Sequence, residues 1–161
     1  GDGEQQPVNY YELGFQNSRG FRALKVWLAL RQVGRAGYVR MIRDDIALAE
    51  ALYRAVDAHP ELRAQTQHLS ITTFRYVPDG LAPGEETVEV YLNDLNRELL
   101  NRLQGSGEAY VSNAVVDGRF LLRACIVNFR TTLEDVEALP PLVARLGRAV
   151  DAEMRPAGLA R

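Results

Sequence analysis

The sequence is poor in the side chains that make chemistry conspicuous. It holds one cysteine, Cys125, one lysine, Lys25, one tryptophan, Trp27, and two histidines, His59 and His68. A single cysteine excludes an internal disulfide and fits a reducing compartment, so a cytoplasmic location is expected. With Cys125, His59 and His68 as the soft ligands, no metal site is expected. No apolar run approaches the roughly 20 residues of a membrane span, and no secretory signal opens the chain. The formal net charge is -2 over 161 residues, without the basic excess of a nucleic-acid platform. Neither a nucleic acid nor a membrane is therefore an expected partner. Walker, G-x-G-x-x-G, G-x-S-x-G and H-E-x-x-H motifs are all missing.

What the chain does have is the composition of one soluble globular domain, with 47% hydrophobic and 25% charged residues. The opening GDGEQQPVN reads as a polar loop or a cut end. Residues 21–33 follow, apolar on nearly every face through Leu24, Val26, Trp27, Leu28 and Leu30. A helix that is apolar all round is buried on all sides. In so short a chain, that implies a missing partner, either another domain or another subunit. Gly34 and Gly37 are expected to break this helix. A second helix over residues 38–57 then places Ile42, Ile46, Ala49, Leu52 and Val56 on one stripe.

Residues 69–77 read as a strand, followed by a loop at Pro78-Asp79-Gly80 and Pro83-Gly84. A third helix carries Val88, Leu95, Leu99 and Leu103 and closes at Gly105 and Gly107. Residues 109–116 and 119–129 form two strands about Asp117-Gly118, a strong hairpin signal. In the second strand, Phe120, Leu122, Ala124 and Ile126 alternate with Leu121, Arg123, Cys125 and Val127. Thr131 with Glu134 reads as a capping box for a last helix, which Pro140-Pro141 is expected to divide. The order α-α-β-α-β-β-α makes an α+β fold, an antiparallel sheet of about three strands covered by helices.

Each candidate for chemistry has an ordinary structural reading beside it. Lys25 is placed either as a Schiff-base amine or as a helix residue with a packed stem and a solvated ammonium. His59, before Pro60, sits where a cation faces a helix C-terminus. His68 lies beside a strand start. Neither histidine has an acid or nucleophile at a motif spacing. Cys125 reads as a small buried hydrophobe, and Asp44-Asp45 as a solvated helix face. Ser18 is a candidate helix N-cap.

Four stretches carry a resemblance: YYELG (10–14), NSRGFRALKVWLAL (17–30), VGRAGY (33–38) and FLLRACIVNFRTT (120–132). Together they resemble the group II pyridoxal-phosphate-dependent decarboxylases, the family of aromatic-L-amino-acid, histidine and glutamate decarboxylases. The resemblance runs along essentially the whole chain and implies the C-terminal part of a fold-type I enzyme. Residues 1–20 would leave an absent large domain, 21–58 would be linking helices, and 59–161 would be the small α+β domain. It also implies an amino acid substrate, a homodimer, and a cofactor held by the upstream large domain together with its Schiff-base lysine. Lys25 matches the linking-helix lysine, so no catalytic or cofactor-binding residue is expected in this chain. Ser18 matches a position close to the substrate, serine in histidine decarboxylases and glycine in aromatic ones, with Arg19 beside it as a polar anchor. Gly20 stands where the family has a second arginine, and Phe15 where relatives have proline. The implied reaction is release of CO₂ from an amino acid to give an amine, with the cofactor as electron sink. Two alternatives stand beside it: a stand-alone ligand-binding or regulatory module, and a family member that deaminates oxidatively to an aldehyde.

Overall fold

A computed structural model describes Phe15 and residues 20–159. The chain divides into two compact units, Gly1–Tyr38 and Val39–Arg161. Helix α1 (Ala23–Asp57) begins in the first unit and continues in the second. In the first unit its helical course is interrupted at Gly34, where φ is 66° and ψ 169°. A side chain there would be strained, which explains the glycine. Gly37, expected to be a second break, lies inside the helix. The apolar residues of this stretch are exposed, including Phe21, Leu24, Val26, Trp27, Leu28 and Leu30.

The second unit is a four-stranded antiparallel sheet in the order β1-β2-β4-β3, with α2 and α3 packed on it. Its strands are β1 (Leu62–His68), β2 (Ile71–Tyr76), β3 (Ser112–Val116) and β4 (Arg119–Cys125). The sequence reading found β2 but not β1. The sequence of β1, LRAQTQH, is polar and half-exposed, so it lacks the apolar alternation of a buried strand. Leu69, read as the start of a strand, instead occupies the β1–β2 turn with a φ of 49°. The β3–β4 hairpin turns at Asp117-Gly118, as expected from that pair, with both residues at positive φ. Both hairpin strands are shorter than their apolar runs.

One face of the sheet holds the core. Phe74 and Tyr76 of β2 and Phe120, Leu122 and Ala124 of β4 pack with Leu52 and Val56 of α1, Leu92, Leu95 and Leu99 of α2 (Glu86–Ser106), and Val143 and Val150 of α3 (Leu133–Met154). The last helix is capped by Thr132 and Asp135, one residue beyond the expected Thr131 and Glu134. It is continuous through Pro140 and Pro141. Proline inside a helix costs about 3 kcal/mol, but here Val136, Leu139, Pro140, Val143 and Val150 are all buried, and that burial offsets the lost bonds.

Close packing fixes two details of this core. The ring of buried Tyr76 lies so near the α3 backbone that a Cβ on Gly147 would sit 2.6 Å from it. Where β2 runs beyond its pairing with β4, the Asn96 side chain replaces the missing strand. Its Oδ1 accepts from the Tyr76 N–H at 2.8 Å, and its Nδ2 donates to the Tyr76 carbonyl at 2.9 Å.

Candidate functional site

The sheet face opposite the core carries the polar groups. Side chains alternate along a strand, so Thr73 and Arg75 of β2 share this face with Arg119, Leu121, Arg123 and Cys125 of β4. The register sets Arg123 between Thr73 on one side and Ser112 of β3 on the other. Thr73 is buried, and its hydroxyl meets that of Thr66 at 2.6 Å. Ser112 Oγ donates to the Arg123 carbonyl at 3.2 Å.

Two of the arginines on this face share one carboxylate. Arg75 makes a bidentate pair with Glu89 at 2.7 and 3.0 Å, and Arg119 approaches the same group at 3.8 Å. The Gly84 N–H also donates to Glu89, which ties the β2–α2 loop into the cluster. The Arg75 hydrogen bond holds the Glu89 carboxyl below its usual range, with the Arg75 and Arg119 charges and the Gly84 N–H adding to the effect against burial. Arg123 differs. It is half-buried, and its guanidinium donates to the Cys125 sulfur at 3.5 Å. Among the described residues no carboxylate lies within ion-pair distance of it. A half-buried guanidinium without a carboxylate partner among the described residues is suited to an anion, since planar guanidinium matches carboxylate geometry. The sequence did carry a signal for it: a cation at an alternating position inside the apolar run FLLRAC.

The candidates read from sequence do not converge. Ser18 and Arg19 lie outside the described residues. Lys25 is exposed on α1. His59 accepts the Glu61 N–H at Nδ1, and His68 is exposed at the end of β1. Cys125, expected to be buried, is exposed, because β4 ends there at the rim of the sheet. Asp44 and Asp45 lie on α1, where burial and then the Asp44 charge raise the Asp45 carboxyl. No cluster of three potential metal ligands occurs among the described residues, and no described helix is long and apolar enough to cross a membrane.

A cleft of about 320 Å³ opens on the second unit, with Leu52, Val111, Ile126 and Leu139 in its lining and Glu108, Tyr110, Cys125, Thr131 and Asp135 as its polar members. The Glu108 carboxylate accepts from Arg145, and that of Asp135 from the Thr132 N–H and hydroxyl of the helix cap.

A four-stranded antiparallel sheet with helices packed on one face is an α+β fold, and the comparisons say which family it belongs to. No protein-family profile matches the chain. Its relatives make the assignment. The aromatic-L-amino-acid decarboxylase of Bacillus atrophaeus is 33% identical over 130 residues, which is 80% of this chain and 26% of that protein. Phenylacetaldehyde synthase of a Rosa hybrid cultivar is 36% identical over 126 residues, 76% of this chain and 24% of that protein. Among solved structures, Oryza sativa TDC with PLP and tryptamine superposes with a TM-score of 0.71 at 27% identity, covering 93% of this chain and 30% of that one. The chain belongs to the group II pyridoxal-phosphate-dependent decarboxylases, and it spans about a quarter of the length of the curated relatives it matches.

The residues present do not fit pyridoxal phosphate. The cofactor needs a lysine in a pocket that also supplies a phosphate cradle and an acid for the ring nitrogen. The one lysine of the sequence, Lys25, is exposed on α1, and the lining of the second unit's cleft contains no lysine.

Proposed function

We propose that the chain is the C-terminal portion of a pyridoxal-phosphate-dependent L-amino acid decarboxylase, a carboxy-lyase that releases CO₂ and leaves an amine. In this reading residues 1–20 lead out of a large domain that holds the cofactor and its Schiff-base lysine. Residues 21–58 are the linking helices, and 59–161 form the small domain. The intact enzyme is a homodimer in the cytoplasm, and this chain is inactive without the large domain. Ser18 is a substrate-proximal residue, with Arg19 beside it as a polar anchor. Arg123 receives an anionic group of the amino acid, binding and orienting it from the polar face of the sheet.

The observation that carries this reading is the exposed apolar stretch on α1. Trp27 is 55% exposed, with Val26, Leu28 and Leu30 at 50% or more. Burying each such side chain yields about 1.5–3 kcal/mol, and a contiguous apolar patch of this kind marks an interface. A stand-alone module would leave it in water. Hydroxyl-radical footprinting of the intact protein tests the point at Trp27. The reading expects strong protection of its indole; labelling at the rate of a solvated tryptophan favours the stand-alone module.

A second reading has its own support, because relatives of this chain include aldehyde synthases. In it the intact enzyme consumes O₂ and water and converts the amino acid into an aldehyde, CO₂, ammonia and hydrogen peroxide. Analysis of the organic product separates the two, since one yields an amine and the other an aldehyde.

A further inference from the structure

Arg75, Arg119 and Arg123 share the polar face of the sheet but are held in different ways. Arg75 and Arg119 meet the Glu89 carboxylate. Arg123 meets Cys125, whose sulfur accepts from a terminal guanidinium nitrogen at 3.5 Å. The two residues stand at i and i+2 of β4, so both side chains rise from the same face. Cys125 closes the strand and pairs with Ile71 of β2, which fixes where its sulfur sits.

The other neighbours of Arg123 are occupied. Directly across the ladder stand Thr73 and Ser112. The Thr73 hydroxyl meets that of Thr66 at 2.6 Å and also accepts the Thr66 N–H at 3.1 Å. The Ser112 hydroxyl donates to the Arg123 carbonyl, not to its side chain. Among the described residues, the Cys125 sulfur is therefore the side-chain atom that hydrogen-bonds the Arg123 guanidinium.

The kind of holder decides what the guanidinium can still do. It carries five N–H donors in a planar fork. A carboxylate beside it takes two donors in a bidentate pair and opposes its charge, as Glu89 does for Arg75 at 2.7 and 3.0 Å. A thiol sulfur is a weak acceptor. It takes one donor and sets the plane of the fork without a carboxylate's claim on the charge. On the reading that Arg123 binds an anionic group of the amino acid, we propose that Cys125 is its positioning residue. The sulfur turns the guanidinium so that the remaining N–H groups meet that anion, and a carboxylate at position 125 would take the anion's place.

Steady-state kinetics of the intact protein, loaded with pyridoxal phosphate and given the L-amino acid from which it releases CO₂, test this. Cys125→Val keeps a side chain of similar size and removes the acceptor. It is expected to raise KM about threefold to tenfold, the worth of one hydrogen bond, with the loss falling on KM rather than kcat. Cys125→Ser restores an acceptor and is expected to recover most of that loss. Cys125→Asp pairs with the guanidinium and is expected to raise KM at least about tenfold. In an Arg123→Gln background, Cys125→Val is expected to change KM by less than about twofold, because its effect runs through the arginine. A wild-type KM in Cys125→Val overturns the proposal, and so does an effect of equal size with and without Arg123, which would be a purely structural role. Should Cys125→Val misfold, Cys125→Asp decides, and a wild-type KM there is equally fatal. An unchanged KM in Arg123→Gln removes the arginine and this proposal together, while CO₂ release by the wild type leaves the decarboxylase reading standing. If no amino acid yields CO₂, that reading fails and the proposal falls with it.

Discussion

Asn96 is fully buried, and its amide stands in for a strand. Replacing it with leucine keeps the volume but removes every hydrogen bond the side chain makes. The Tyr76 N–H and C=O then lose their partner inside the core. The Leu92 carbonyl, which also accepts from Asn96 Nδ2, keeps its helical bond. An orphaned buried polar group costs about 1–3 kcal/mol, so two give a loss of about 4 kcal/mol. At about 3 °C per kcal/mol for a chain of this size, the midpoint falls by about 12 °C. Urea unfolding of the 161-residue chain, followed by far-ultraviolet circular dichroism, measures the loss directly. Asn96→Asp is the companion variant. It keeps the acceptor for the Tyr76 N–H but turns a donor into a second acceptor facing two carbonyls. Its carboxyl is expected to titrate above its unfolded value, so the stability of that variant is highest below the unfolded value and lost as pH rises through the folded one. If Asn96→Leu unfolds within about 1 kcal/mol of the wild type, the backbone-mimicry argument is wrong.

Three further predictions follow from the same packing and charge. Gly147→Ala forces a methyl into the Tyr76 ring, which the Tyr76–Glu61 hydrogen bond holds in place; calorimetry is expected to show about 1–3 kcal/mol of destabilisation. Glu89 has a depressed carboxyl pKa, so its contribution is present above the unfolded value of about 4.3 and lost as pH falls through the folded one. Denaturation curves of Glu89→Gln are expected to lose this acid dependence, and an unaltered pH profile would count against the Arg75–Glu89–Arg119 cluster. In the intact protein Arg123→Gln is expected to raise KM for the amino acid at least about tenfold, the worth of a charge-assisted bidentate contact; an unchanged KM removes Arg123 from the site.

Helical periodicity was the most legible part of the fold. Val88, Leu95, Leu99 and Leu103 lie on the buried stripe of α2 as their spacing required, and Asp117-Gly118 marked its hairpin. Strand β1 stayed hidden because LRAQTQH has little apolar alternation: most of its residues are only half-buried, so polar side chains are tolerated there. Pro140-Pro141 misled in the other direction. Local propensity argues for a break there, and tertiary burial of Pro140 and its neighbours overrides it. The polar sheet face was harder still. Alternation alone put Arg123 on one side of β4; the register sets it between Thr73 and Ser112, while Glu89 pairs with Arg75 and Arg119. Such a site is assembled by strand pairing across distant segments, which spacing along one segment does not reveal. Cys125 was misread for a related reason: its alternation was right, but β4 ends at that residue.

The measurement closest to the central claim is CO₂ release by the intact protein, supplied with pyridoxal phosphate and challenged with each L-amino acid in turn. The account predicts that at least one amino acid yields CO₂ and the corresponding amine in equal amounts. Absence of CO₂ from every amino acid, with the protein folded and the cofactor bound, would contradict it.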